Sequence, residues 1–197
     1  TTRQIQFVSG LSRATFWPTI TKLVELCLIE PRGTWQEQRY GIHSLTARFL
    51  AYRQEGVEGT AVTLPGSSIV ANIIYWRQTI QNLTDKQWST LDIERANIFR
   101  AIQFSLNLPD EDISQSLKDD WIALSEHLFR YVERRGYVAE WLPILESLSE
   151  KFVDDPKARC LLLNRLGELY RLNHQFAKAI KTHSYVLCLA QEAEDEL

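Results

Sequence analysis

The stretch QRYGIHSLTARFLAYR, residues 38–53, sets one histidine, His43, between an extended segment ending at Arg39, Tyr40 and Gly41 and a helix expected to open at Ser44. Serine favours the helix N-cap, and Leu45, Phe49 and Tyr52 follow at helical spacing. An imidazole can donate, accept or take up a proton near neutral pH, so at such a junction it is either a functional group or a packed one. Most lone histidines near an apolar face are packed. Four cations belong to the same part of the chain, Arg13, Lys22, Arg32 and Arg39, and cations are the groups that meet phosphates.

Little else has the spacing of a reactive site. There is no glycine-rich phosphate loop, no G-x-S-x-G elbow and no metal-ligand cluster. Asp and Glu are spread over polar helix faces, where solvation is their ordinary role. Cys27, Cys160 and Cys188 stand far apart in apolar helical patterns, so buried free thiols are expected rather than a disulfide framework or a metal site. No catalytic residue, metal ligand or cofactor is assigned to this chain, which is read as a non-enzyme.

A hydrophobic fraction of 45% against 24% charged supports a real core in a chain of 197 residues. No apolar run approaches the roughly 20 residues of a membrane span, and no signal pattern opens the chain, so a cytoplasmic location is expected. Two features are those of a piece of a longer protein: methionine is absent, and the chain stops at AQEAEDEL directly after a helical pattern. The charge is uneven, +3 over residues 1–55 and −6 over the remainder. The basic part hints at nucleic acid only weakly.

The elements that must position these residues fall into two regions. Residues 1–55 read as helix, helix, β-hairpin, helix, a winged helix-turn-helix of three helices and a wing. Gly10 marks a turn, and Ser12 or Thr15 is the cap. Phe16, Ile20, Leu23, Val24 and Cys27 form the apolar stripe. Pro31 and Gly33 with the polar TWQEQ separate the two strands. Residues 56–67, within the glycine- and proline-broken QEGVEGTAVTLPG, are the expected linker. Residues 68–197 are expected to be helical almost throughout, with breaks at Pro109, at Gly136 in a C′ position and near Pro156.

The last two helical segments carry a repeat pattern. Leu163, Leu166, Gly167, Tyr170, Phe176, Ala179 and Leu187 have the spacing of a tetratricopeptide repeat. Gly167 would let the helices approach, Tyr170 and Phe176 would fill the space between them, and Ala179 would permit the crossing. A degenerate echo stands 39 residues earlier: Leu124, Tyr131, Tyr137 and Leu148 answer Leu163, Tyr170, Phe176 and Leu187, while Leu128 and Glu140 replace Gly167 and Ala179. His127, His174 and His183 are placed on these helices as structural residues, His183 where an aromatic usually stands. The expected fold class is mainly α, a winged helix followed by an α-solenoid of TPR-like helix pairs.

DNA binding is one reading of the first region. The second helix would enter the major groove, offering Arg13, Thr15, Thr19, Thr21 and Lys22, with Arg32 and Arg39 of the wing on phosphates. Phe16, Trp17 and Pro18 crowd the turn where base-reading residues stand, and Glu30 and Glu37 oppose the wing arginines. The plainer reading has this unit packed on other protein, with Trp17 and Trp35 in interfaces.

A winged helix ending in YGIHSLTARFLAYR resembles the winged-helix domain of the STAND (signal transduction ATPases with numerous domains) proteins, the NB-ARC and related type. The downstream Trp88, Glu94, Asn97, Arg100 and Ala101 in WSTLDIERANIFRAIQ, and FRYVERRGYVAEWLPILESL after them, resemble the region that precedes the repeat sensor in bacterial members. The resemblance implies that Ile42-His43-Ser44 matches a motif, often Met-His-Asp, whose histidine contacts the β-phosphate of ADP and holds a closed state. Ser44 replaces the aspartate, so any ion pair from that position is lost. It further implies an upstream nucleotide-binding domain as partner, ADP or ATP bound by the parent protein rather than here, and a protein, peptide or small-molecule effector on the repeats.

Overall fold

In the computed structural model Thr1 already acts as a helix cap. Its hydroxyl accepts the Gln4 N–H while the Gln4 side chain returns to the Thr1 backbone, and this reciprocal box opens α1 (Thr2–Ser9). Gly10, at φ 65°, closes the helix in the left-handed region. Ser12 then caps α2 (Arg13–Glu25), accepting the Thr15 N–H at 3.3 Å. The end of α2 corrects one expectation. Cys27 is not on the helical stripe but at φ 55°, and its N–H bonds the Val24 carbonyl at 2.9 Å while the Leu28 N–H bonds that of Leu23 at 3.0 Å. This double bond pattern is the Schellman stop, reached here without a glycine.

Strands β1 (Ile29–Gly33) and β2 (Gln38–Ile42) form an antiparallel hairpin with Ile29 opposite Ile42 and Gly33 opposite Gln38. The structure describes residues 1–34, 38–46, 48 and 66–195; Trp35, Phe49, Tyr52 and positions 56–65 of the expected linker lie outside the described residues. Positions 66 and 67 open α3 (Gly66–Ile80).

The chain divides into two compact units, Thr1–Tyr75 and Trp76–Leu197. In the first, Phe16, Ile20 and Ile73 are buried. There α1 lies on the first part of α3: Gln4 donates to Asn72 at 3.0 Å, and the Phe7 and Tyr75 rings meet at 5.7 Å.

The second unit contains α4 (Trp88–Leu106), α5 (Gln115–Arg135), α6 (Val138–Glu150), α7 (Pro156–Leu172) and α8 (Phe176–Asp195). Local chemistry sets their ends. Ser114 caps α5 and Gly136 closes it at φ 75°; Asp155 caps α7, with Pro156 in the first turn where its missing N–H costs nothing. α4 packs on α6, α5 on α7, α6 on both α5 and α7, and α7 on α8. Trp121 and Trp141 fill the core, the former donating to Ser105 at 2.8 Å and the latter tilted against Phe99 at 5.0 Å. Arg165 grips both carboxylate oxygens of Glu126, exactly one echo period earlier, at 2.8 Å each.

At the α7–α8 contact a Cβ on Gly167 would stand 2.6 Å from the outer atoms of the His183 ring, so any larger residue there requires that ring to move. Ala179 is buried as expected. Phe176 is not: it is exposed and meets the His174 ring edge-on at 5.9 Å. His174 itself lies off the helices, at φ 58° in the turn after α7. The expected burial of the thiols also fails. Cys27, beyond the end of α2, and Cys188, on the solvent side of α8, are exposed, and Cys160 is half-buried. Among the described residues the architecture is thus mainly helical with one two-stranded sheet, and no helix is long and apolar enough to cross a membrane.

Candidate functional site

In an antiparallel hairpin, residues directly opposite share a face and alternate residues share it along each strand. The pairing of Glu30 with Gly41 and of Arg32 with Arg39 therefore brings Glu30, Arg32 and Arg39 together on one face. His43 joins them: its N–H extends the ladder to the Leu28 carbonyl at 3.1 Å, and its Nε2 stands 3.7 Å from Glu30. Three of the five candidate residues thus converge. Ile29, Pro31, Tyr40 and Ile42 take the opposite face.

Gly41 has a definite part in this face. A Cβ there would lie 2.7 Å from the Arg32 guanidinium, which crosses the bare backbone and donates to Glu30 at 3.2 Å. Glu30 is consequently shared between Arg32 and His43.

The imidazole is held by its own helix. Nδ1 accepts the Leu45 N–H at 3.3 Å, the bond an N-cap side chain makes to the second helical residue. Residues 44–46 and 48 are helical, so His43, not Ser44, serves as the cap, and Leu45 is exposed rather than packed. With Nδ1 an acceptor, a neutral ring carries its proton on Nε2, aimed at Glu30. A phosphate reaching this nitrogen must displace the carboxylate or share the proton with it.

The other two candidates are elsewhere. Arg13 begins α2 and Lys22 stands in its last turn, nine residues later; at 100° per residue they point to opposite sides of the helix. Both are exposed, and Lys22 lies 3.6 Å from Glu25. Trp17 is exposed beside Phe16.

The second unit holds a feature that the periodicity of the sequence does not announce, a groove of about 920 Å³ between α4, α5 and α6. Arg100, Phe104, Asp110, Lys118, Pro143 and Lys151 are among its lining. Lys151 donates to Asp110 at 2.8 Å and holds that carboxyl below its usual range. The signal that could have found it is Pro143, which removes a hydrogen bond from the middle of α6, together with the break after Leu106. Three cations and three carboxylates balance across the lining, so no ligand charge is selected. Among the described residues no group of His, Cys, Asp and Glu could hold a metal ion. Comparison with family models, curated proteins and solved structures finds no match for the chain.

Proposed function

We propose that this chain is the relay and sensor portion of a STAND-type ATPase switch, a cytoplasmic assembly in which a winged helix reports nucleotide state and TPR-like helix pairs bind an effector. The observation that carries the reading is the sequential packing of the second unit. α5 lies on α7 and α6 on α7, Gly167 admits the His183 ring at the last crossing, and Glu126 meets Arg165 across one 39-residue period. Helix pairs stacked in this way present extended surfaces to partners. In the first unit, two helices and a hairpin followed by helical residues support the winged-helix assignment, and His43 is fixed by Leu45 with one nitrogen left to donate.

The switch has two states. ADP, held through His43 and the adjoining helix start, favours the closed one, and effector on the repeats favours the open one. ATP turnover belongs to an upstream nucleotide-binding domain, so the pure 197-residue chain is expected to hydrolyse no ATP. The deciding experiment uses the longer protein that carries this segment behind its nucleotide domain. The His43→Ala variant should lose co-purifying ADP or become constitutively active; unchanged nucleotide content and activity would reduce His43 to a helix cap.

A DNA-binding regulator is the second reading, favoured by Arg32 and Arg39 facing each other on the hairpin. The Glu30 and Glu25 contacts and the opposed directions of Arg13 and Lys22 leave few cations for one duplex. Fluorescence anisotropy with duplex DNA should show a log affinity against log salt slope of about −1 to −2 if only the hairpin arginines meet phosphates.

A further inference from the structure

The groove between α4, α5 and α6 selects no net charge, but its charges are not laid out evenly. Its two long walls are single helix faces. Arg100, Phe104 and Asn107 stand on α4, and Pro143, Ser147 and Glu150 on α6, with Asp154 just past the helix end. All of these side chains are exposed. The walls run in the same direction, because Arg95 donates to Glu140 at 3.1 Å near one end and Lys151 donates to Asp110 at 2.8 Å near the other.

Within that frame two of the cations are already engaged. Lys151 is held by Asp110, and Lys118 adds a second positive charge beside the same carboxylate. The side chains of Arg100, Glu150 and Asp154 make no ion pair or hydrogen bond among the described residues. They lie apart: the contact of Phe99 with Trp141 sets Arg100 level with the start of the α6 wall, and Glu150 follows Pro143 by seven residues, about 10 Å along the helix. Phe104 stands between them, 48% exposed, one turn and about 6 Å beyond Arg100.

These intervals are those of an extended chain. Side chains i, i+2 and i+4 of a strand share one face at steps of about 7 Å. With an acid at i on Arg100, the side chain at i+2 falls on Phe104, and one at i+4 reaches Glu150 and Asp154. The groove, about 920 Å³, is more than a single amino acid fills.

We propose that the groove between α4 and α6 docks an extended peptide segment of a partner protein. The segment carries an acidic, an apolar and a basic side chain at alternate positions, the acid on Arg100, the apolar group on Phe104 and the base on Glu150 and Asp154. This gives the effector of the switch reading a chemical class and a place. It rests on the second unit alone, so its test can fail with the His43 latch intact, and the reverse.

The probe is a fluorescein-labelled, C-terminally amidated peptide, Glu-Thr-Leu-Thr-Lys, titrated with the 197-residue chain and read by fluorescence anisotropy. Saturable binding that weakens as salt rises is expected. Phe104→Ala should raise Kd about tenfold with the helical circular dichroism retained. A charge exchange reads the register. Arg100→Glu should lose this peptide and gain Lys-Thr-Leu-Thr-Lys, while Glu150→Lys with Asp154→Lys should lose it and gain Glu-Thr-Leu-Thr-Glu. A Kd above about 1 mM for the first peptide would overturn the proposal. So would equal binding of all three peptides by the unaltered chain, or charge variants that fail to exchange partners. Displacement of the probe by free lysine or glutamate at the peptide's own concentrations would overturn it too, making the ligand a small zwitterion.

Discussion

At the scale of single residues, the informative positions are those where one atom decides whether a contact exists. Gly167 is such a position. Alanine in a helix interior is favoured over glycine by about 1 kcal/mol, but here its Cβ would meet the His183 ring at 2.6 Å, and overpacking of this kind costs about 1–3 kcal/mol. Gly167→Ala is therefore expected to lower stability by about 1 kcal/mol. In a His183→Ala background the clash is gone, and the same substitution should stabilise by about 0.5–1 kcal/mol. Denaturant melts of the four proteins check this reversal of sign. Ser105 offers a second case, because its hydroxyl is the acceptor for the buried Trp121 indole N–H. Ser105→Ala leaves that donor buried and unmet, a loss of about 1–3 kcal/mol. In a Trp121→Phe background the loss should largely vanish, which a double-mutant cycle reads directly.

At the scale of elements, helix stops show the same geometry reached by different residues. α5 ends on Gly136 at φ 75° and α7 ends on His174 at φ 58°. Each turn closes with the same bond, from Tyr137 to Val132 at 3.1 Å and from Gln175 to Tyr170 at 2.8 Å. A Cβ at Gly136 would meet nothing within 4 Å, so any cost of filling it is backbone strain alone. Gly136→Ala is expected to destabilise by about 1 kcal/mol, and His174→Gly to stabilise by about 0.5–1 kcal/mol. Thermal melts of the two single variants should move in opposite directions. Gly136 was legible in advance, because a glycine after a helical stripe is a stop signal. Cys27 and His174 were not, since neither residue type signals positive φ, and only the packing after each helix forces them into it.

At the scale of the whole molecule, phenols buried against carboxylates link the second unit to pH. Burial first, and then hydrogen bonds to Asp92 and Glu146, push the Tyr131 and Tyr170 hydroxyls far above their ordinary value. A phenol raised in the folded state contributes stability that is whole below its unfolded value, about 10, and is lost as pH climbs above it. Absorbance titration should therefore show two of the seven tyrosines ionising only as the chain unfolds, and Tyr131→Phe or Tyr170→Phe should flatten the alkaline fall in stability. Asp120, raised chiefly by burial and partly restrained by Arg77 beside it, has the same sign near the carboxylate range. Its share is greatest in acid and is lost as pH rises through the folded value.

What the sequence determined by itself is whatever depends on neighbours along the chain. Helix spans follow from periodicity, the stops at Gly10 and Gly136 from a missing Cβ, the caps at Ser12 and Asp155 from short polar side chains, and the hairpin from two extended runs flanking polar residues. The junction site of His43 was legible for the same reason. What only the tertiary structure decided is which groups meet across space. Register placed Glu30 beside His43 and Arg32, so a residue legible as a phosphate donor is found already facing a carboxylate. The crossing of α7 and α8 turned His183 onto Gly167 and left Phe176 in solvent. α4, α5 and α6 enclosed a groove that no single helix encodes. These outcomes depend on the relative rotation and offset of elements, quantities that a period of 3.6 or 2 residues does not contain.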